Sequence, residues 1–191
     1  MKYDILVNKD HPLLKCFVPE DLVIYPEYNG EKIDPTHKTY VNRVVLDEFY
    51  KMQACAKLYG YYIIIDSAYR SYEYQEKVLE NGLQNDPENA YKYIALPGTS
   101  EHQLGLAIDV ALYIDGKYED KFDDSFEEIK WLHNFAYLFG FILRYPKGKE
   151  EITGFNYECW HFRYVGRDIA KYMHDNNILT FEEYLELNKH R

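Results

Sequence analysis

The segment from Leu106 to Tyr113 constrains the fold most, because it places one carboxylate inside an otherwise apolar strand. Large apolar residues alternate there with small or polar ones, in the order Leu106-Ala107-Ile108-Asp109-Val110-Ala111-Leu112-Tyr113. This period of two predicts a strand with one apolar face and a second face on which Asp109 lies between two alanines. A buried carboxylate without a partner is costly. The small neighbours leave room above Asp109 for an ion.

Two histidines occur where they could meet this carboxylate. His102 precedes the strand, and Gly105 between them permits a turn. His161 lies in a second strand-like segment, in which Trp160, Phe162 and Tyr164 alternate with His161 and Arg163. The aromatic residues of this segment are expected to pack inward and the polar ones to face the site.

The three side chains suit a catalytic zinc ion. Such an ion takes three protein ligands and keeps a fourth position open for water, and a base outside the ligand set accepts a proton from that water. We predict His102, Asp109 and His161 as the ligands of one zinc ion per chain, and Glu158 as the base. Because Glu158 and His161 have opposite strand parity, Glu158 is expected to precede the regular strand.

Other metal-site patterns are absent from the sequence, which has no H-E-x-x-H motif. Cys159 borders the predicted site, so it remains an alternative ligand or nucleophile. The other histidines lack comparable context and most are expected to be solvated, with His133 on an exposed helix face; they are His11, His37, His133, His174 and His190.

Taken together, the motifs resemble those of the D-alanyl-D-alanine carboxypeptidases and dipeptidases of the VanY and VanX families. Their pattern S-x-H-x-x-G-x-A-x-D, followed by E-x-W-H, is matched without departure by Ser100, His102, Gly105, Ala107, Asp109, Glu158, Trp160 and His161. A further family element, an arginine in a Y-R-S context followed by a glutamine, is matched by Arg70 and Gln75. The resemblance extends from about Leu6 to about Gly166.

The resemblance and the chemistry of amide hydrolysis suggest further roles. Arg70 would stabilise the oxyanion, since a guanidinium stays charged and its donors are fixed in a plane; a structural pair with Asp66 or Glu73 is the alternative. Gln75 is expected near Arg70, where it would help to orient substrate. Ser100 would bind the substrate's C-terminal carboxylate, although its hydroxyl could equally cap a turn.

Trp160 would form an apolar wall of the substrate site, beside Glu158. The substrate class is also implied by the resemblance: small peptides that end in D-Ala. The motifs without an apparent anchor are similar to the bifunctional VanXY type, which would hydrolyse both D-Ala-D-Ala and the terminal D-Ala of precursor pentapeptides and so support vancomycin resistance. A D,D- or L,D-carboxypeptidase of ordinary peptidoglycan turnover is one alternative. A zinc-scaffold binding module without turnover is another.

Length and charge limit the remaining possibilities. The 191 residues suit one catalytic domain, residues 1–191. A formal net charge of -10 disfavours nucleic acid and anionic membranes as partners. The first residues show no apolar stretch for a signal peptide or membrane anchor, and the three cysteines suit reduced thiols. If Met1 is the natural start, a cytoplasmic protein is expected.

The apolar patterns predict an α+β fold. Strands are expected near residues 61, 106, 141 and 160, and helices are expected at Thr39–Leu58, Ser71–Glu80, from a capping box at Ser125 to Gly140, at Asp168–Asp175 and after Thr180. We therefore predict a small, mainly antiparallel sheet that carries the zinc site, with helices packed on its other side. The family resemblance implies the same fold.

Overall fold

The computed structural model describes residues 3–26 and 38–189, which form short strands interspersed with helices. The strands are β1 (Leu22–Ile24), β2 (Tyr40–Asn42), β3 (Tyr62–Ser67), β4 (Ala107–Ile114), β5 (Lys117–Glu119), β6 (Phe141–Leu143) and β7 (His161–Tyr164). The α-helices are α1 (Arg43–Lys57), α2 (Tyr72–Asn85), α3 (Glu101–Leu104), α4 (Glu127–Phe135), α5 (Glu150–Thr153), α6 (Arg167–Asp175) and α7 (Phe181–Asn188). Short 3-10 turns occur at Ala90–Lys92 and Ala136–Phe139.

Five strands form one antiparallel sheet in the order β3-β4-β7-β6, with β5 paired to the end of β4. Strands β1 and β2 form a separate antiparallel pair. The predicted α+β fold with a small antiparallel sheet is therefore confirmed. Among the described residues, every helix is too short or too polar to cross a membrane.

Helix α1 covers the apolar face of the sheet. Its buried residues form one core cluster with the apolar residues of β3 and β4; from α1 they are Val45, Leu46, Phe49, Met52 and Ala56. Ile108, Val110 and Leu112 belong to this cluster, whereas Asp109 lines a cavity elsewhere. The predicted alternation along β4 thus separates the core from the site.

Two predicted helix boundaries were wrong, each because of contacts with another segment of the chain. Helix α1 begins at Arg43 rather than Thr39, because Tyr40–Asn42 pairs with β1 and the Asn42 side chain accepts a hydrogen bond from Val44 N. Helix α2 continues through Gly82 to Asn85. A Cβ at Gly82 would lie 2.2 Å from Ile94 Cδ1, so the missing side chain admits Ile94.

The predicted capping box at Ser125 does not form either. Helix α4 has Phe126 at its N-cap, without a side-chain cap. Other helix signals were confirmed. Gly140 ends the α4 region in a left-handed conformation, and Thr180 forms a capping box with Glu183 at the start of α7.

Gly105 connects α3 to β4 and is expected to be intolerant of substitution. Its φ is +76°, and an added Cβ would lie 2.8 Å from Pro19 Cγ. We expect Gly105→Ala to lower the free energy of unfolding by about 1–3 kcal/mol, measured by urea denaturation. Gly116→Ala is the matched control, because Gly116 has a φ of +74° but open space around it. A smaller loss for Gly105→Ala than for Gly116→Ala would contradict the close-packing argument.

Candidate metal centre and active site

The pairing of β4 with β7 brings two predicted ligands together. Asp109 and His161 are directly opposite each other in the register, and Asp109 Oδ1 lies 2.9 Å from His161 Nδ1. Helix α3 supplies His102, whose Nε2 lies 3.2 Å from Asp109 Oδ2. Ligand atoms of the three residues all lie within 4.8 Å of one another; His102 and His161 are buried, and Asp109 is nearly so, at 9% exposed. The sequence prediction of their convergence is therefore confirmed.

His102 is held in the form that a metal ion requires. Its Nδ1 lies 2.5 Å from the carbonyl oxygen of Ala68. A carbonyl only accepts hydrogen bonds, so Nδ1 carries the hydrogen and Nε2 keeps its lone pair. Burial, and then the charge of Arg70, lowers the pKa of His102 to about 4, which keeps the ring neutral. The free Nε2 has no hydrogen-bond partner among the described residues and faces the cluster.

His161 and Asp109 attract positive charge strongly. Burial opposes a charged imidazole, but the surrounding acidic side chains, Asp109 first and then Glu101 and Glu158, raise the pKa of His161 to about 9. Burial likewise opposes the charged form of Asp109, but the neighbouring imidazoles of His102 and His161 hold the pKa of that carboxyl well below its usual range. His161 is therefore protonated in the metal-free site, and its added positive charge lies where a metal cation could bind instead.

These observations fit a zinc ion. Two imidazoles and one carboxylate are the donor types that catalytic zinc uses, and the set leaves one position open. The unpaired, buried His102 Nε2 gives the ion a ready ligand atom. The cluster lines a cavity of about 320 Å³, from which a substrate group or water would reach the open position.

Glu158 lies beside the cluster and outside the ligand set. It precedes β7, as expected from its parity, because its N–H donates to Tyr145 O and its carbonyl accepts from His161 N. Its Oε2 lies 3.8 Å from His161 Nδ1, while its buried Oε1 has no hydrogen-bond partner in the described structure. Burial raises the pKa of Glu158 to about 8, although the charge of His161 acts in the opposite direction. Such a carboxyl is suited to exchanging protons near neutral pH.

Arg70 reaches the cluster from the end of β3. Its Nη2 donates to Asp109 Oδ2 at 2.7 Å, and its Nε donates to Ser67 Oγ at 3.0 Å. The alternative pairing with Asp66 or Glu73 is not what the structure contains. Its Nη1 donates to the buried Gln75, whose own amide donates to Ala95 O. Gln75 therefore lies behind Arg70, and its predicted substrate contact stays a prediction.

Ser100 and Trp160 both line the cavity. The Ser100 hydroxyl also accepts a hydrogen bond from His102 N at 3.3 Å, as the N-cap of α3. Capping the helix and donating to a substrate carboxylate are therefore compatible roles for this residue. Trp160 precedes β7, is half-buried, and faces the cavity rather than packing fully inward as predicted. Arg163 does not face the site as expected, because its guanidinium is buried against Glu101.

The remaining candidate residues lie away from the ligand set. The Cys159 thiol is directed at Phe122 O, and burial raises its pKa to about 11, which suits a structural thiol. His133 is half-buried rather than exposed, and its Nε2 lies 3.1 Å from Cys159 O. His11 and His174 are exposed as expected, whereas His37 and His190 lie outside the described residues.

Two functional candidates were missed from sequence. Glu101 is fully buried next to His161, and its position in the motif between Ser100 and His102 was the only available signal. Asp66, considered only as a partner of Arg70, lines the cavity at a β-bulge of β3 and accepts a hydrogen bond from Tyr118.

Comparison with known proteins relates this chain to a family of carboxypeptidases. The sequence model of the VanY family, D-alanyl-D-alanine carboxypeptidase, matches residues 38–167. The chain is 41% identical to the Bacillus subtilis protein YodJ, which is named as a carboxypeptidase, over 95% of this chain and 66% of YodJ. It is 38% identical to the Enterococcus gallinarum VanXYC, a bifunctional D-Ala-D-Ala dipeptidase and carboxypeptidase, over 84% of this chain and 82% of that protein. The chain thus spans just under two thirds of the length of YodJ.

The solved structures that superpose on this chain also include peptidases. The LD-carboxypeptidase LdcB superposes with a TM-score of 0.81 at 41% identity, over 95% of this chain and 84% of that one. The D,D-dipeptidase VanXYg, solved with a D-Ala-D-Ala phosphinate analogue, superposes with a TM-score of 0.79 at 33% identity, over 97% and 71%. A VanY D,D-pentapeptidase, solved with Zn(II), superposes with a TM-score of 0.75 at 30% identity, over 96% and 98%.

Proposed function

Because this chain belongs to the VanY family of D-alanyl-D-alanine carboxypeptidases, we propose that it is a zinc-dependent carboxypeptidase that removes C-terminal D-Ala from peptidoglycan precursor peptides. The observation that carries the proposal is the cluster of His102, Asp109 and His161 with the buried, unpaired Oε1 of Glu158 beside it. The resolved VanY relative with Zn(II) supports the choice of metal.

Each residue of the site has a part in the proposed reaction. A zinc ion held by His102, Asp109 and His161 would polarise the scissile carbonyl and make a nearby water more acidic. Glu158 accepts the proton of that water and passes it to the leaving amino group, which is what a carboxyl with a raised pKa can do. Arg70 donates to the oxygen on which negative charge develops, and Gln75 keeps the guanidinium oriented through its contact with Nη1.

Substrate binding uses the residues that line the cavity. The Ser100 hydroxyl lies at the N-terminus of α3, where it can donate to the free carboxylate of the substrate while it accepts from His102 N. Trp160 forms an apolar wall on which the small D-Ala side chain can pack. A requirement for the free carboxylate follows from this arrangement.

The proposal extends to free D-Ala-D-Ala and to glycopeptide resistance. VanXYC is named for both activities, and VanXYg was solved with an analogue of the dipeptide. An enzyme that removes both the dipeptide and the terminal D-Ala would deplete the D-Ala-D-Ala ends of the cell-wall precursors. The cytoplasmic location expected from the first residues stays a prediction.

A second candidate function is L,D-carboxypeptidase activity in ordinary peptidoglycan turnover. The specific support is LdcB, an LD-carboxypeptidase with 41% identity and a TM-score of 0.81 to this chain. The two candidates share the metal centre, the base and Arg70. They differ in the configuration of the residue before the scissile bond.

A panel of peptides separates the candidates, with released D-alanine as the readout. The panel contains D-Ala-D-Ala, a pentapeptide that ends in D-Ala-D-Ala, a tetrapeptide with an L-centre before its terminal D-Ala, and amidated D-Ala-D-Ala. We expect release from the dipeptide and the pentapeptide but not from the amide. Release from the tetrapeptide alone would favour the second candidate. No release from any peptide by zinc-loaded protein would favour a binding module.

Removal of the Arg70 side chain tests its part in the reaction. We expect Arg70→Ala to lower kcat by about 10²–10³-fold, as for the loss of an oxyanion donor, with a smaller change in KM. Arg70→Lys keeps a charge without the planar fork, so a partial recovery of kcat is expected. Zinc content is measured in parallel, because Arg70 also contacts Asp109. An effect confined to KM would assign Arg70 to substrate anchoring instead.

A further inference from the structure

Two buried polar atoms beside the metal cluster face each other without any other partner. Glu101 Oε2 lies 3.7 Å from His161 Nε2. Neither atom has a hydrogen-bond partner among the described residues, and the two residues are only 1% and 4% exposed. Buried polar atoms in folded proteins are nearly always paired. The lack of hydrogen-bond partners for both atoms therefore needs an explanation, and their proximity suggests that they interact with each other.

The orientation of the His161 ring assigns different tasks to its two nitrogens. Nδ1 is directed at the cluster, 2.9 Å from Asp109 Oδ1 and 3.8 Å from Glu158 Oε2. Nε2 is directed away from the cluster, at Glu101. If the lone pair of Nδ1 binds the ion, the hydrogen of the neutral ring must reside on Nε2.

Glu101 is held rigidly with one oxygen left available. Its Oε1 accepts from Arg144 Nε and from Arg163 Nη1, both at 2.8 Å. Both guanidinium groups are fully buried, and their positive charges favour the ionised carboxylate. Both guanidinium groups donate to Oε1, so Oε2 remains available to accept a hydrogen bond from a donor on the His161 side.

We propose that Glu101 is a positioning residue for the metal site, and that its Oε2 accepts the Nε2–H of His161 and so directs the Nδ1 lone pair at the ion. The inference rests on the ligand role of His161 in the proposed function. Metal-binding histidines commonly donate their second N–H to a carboxylate, which fixes the tautomer and the ring orientation. A shift of about 1 Å or less would bring the two atoms to hydrogen-bond distance.

The same network ties both ends of the described chain to the metal site. Arg144 donates to both oxygens of Glu182 in α7, at 2.9 and 2.6 Å. Arg163 Nη2 donates to the carbonyl oxygens of Tyr3 and Ile5. The orientation of Glu101 is therefore fixed by segments far apart in sequence, which is consistent with a need for precise placement.

Glu101→Gln tests the inference, because the two arginines would control how the amide is oriented. Its carbonyl oxygen must face the arginines, since they only donate hydrogen bonds. The amide NH₂ then faces His161 Nε2 and favours the tautomer with hydrogen on Nδ1, which cannot bind the ion. We expect zinc affinity, measured by competition with a chelator, to fall about 10–100-fold.

Glu182→Gln is the matched control, because Glu182 pairs with the same Arg144 but does not contact His161. We expect a much smaller change in zinc affinity for this variant. Equal losses in both variants would mean that the network acts only through stability and would overturn the inference. Unchanged zinc affinity in a folded Glu101→Gln variant would also overturn it.

A second measurement needs only the wild-type protein, so it decides the matter even if Glu101→Gln does not fold. Long-range ¹H–¹⁵N correlation spectra of the zinc-loaded protein report which nitrogen of His161 carries hydrogen. We expect hydrogen on Nε2 and zinc on Nδ1; the reverse arrangement would overturn the inference. Wild-type protein that binds no zinc would contradict the proposed function as well, which distinguishes the two failures.

Discussion

Glu158→Gln is expected to lower kcat for D-alanine release by about 10²–10⁴-fold while zinc stays bound. The amide cannot accept a proton from water, whereas the cluster of His102, Asp109 and His161 is unchanged. Glutamine is also close in volume to glutamate, so the buried position before β7 is filled as before. The measurements are kcat on the preferred peptide and zinc content of the same preparation.

Glu158→Asp is the control for this substitution. It keeps a carboxyl but withdraws it by one methylene, so activity between that of the wild type and Glu158→Gln is expected. A Glu158→Gln enzyme with near-normal kcat would exclude Glu158 as the base. Loss of zinc from Glu158→Gln would instead indicate that Glu158 belongs to the ligand set.

His161→Ala is expected to abolish measurable D-alanine release and to remove most of the zinc. The substitution leaves two protein ligands, which is fewer than the three that catalytic zinc sites use. It also leaves the Glu101 and Asp109 carboxylates facing a space from which a positive partner has been removed. Zinc content is measured by elemental analysis after gel filtration, and far-UV circular dichroism checks that the variant is folded.

His174→Ala provides the comparison for His161→Ala. His174 is exposed on α6 and stacks on Tyr137, away from the cluster. Zinc content and activity of this variant are expected to match the wild type. Full zinc occupancy in His161→Ala would contradict the assignment of His161 as a ligand.

The metal ligands could be predicted from sequence because each depends on a local pattern. The alternation along β4 set Asp109 apart from the apolar core, and Gly105 indicated the turn that returns His102 to it. The opposite parity of Glu158 and His161 indicated that Glu158 precedes β7. Each of these patterns spans only a few residues, so it can be recognised without knowledge of the tertiary structure.

The features that sequence reasoning missed depend on contacts between distant segments. Glu101 is held in position by hydrogen bonds from Arg144 and Arg163, which lie 43 and 62 residues later in the chain. Helix α2 continues past Gly82 because Ile94 of a later segment packs against that glycine. The pairing of Arg70 with Asp109, 39 residues apart, likewise prevailed over the nearer acidic residues. No local pattern specifies such contacts.

Zinc titration of metal-free protein tests the central claim most directly. The protein is stripped with a chelator, zinc is added in steps, and D-alanine release from the preferred peptide is measured at each step. We expect no release without metal, and a rise that saturates at one zinc per chain. His161→Ala should remain inactive at the same zinc concentrations. Full release by the metal-free protein, or equal restoration in His161→Ala, would contradict a zinc peptidase built on His102, Asp109 and His161.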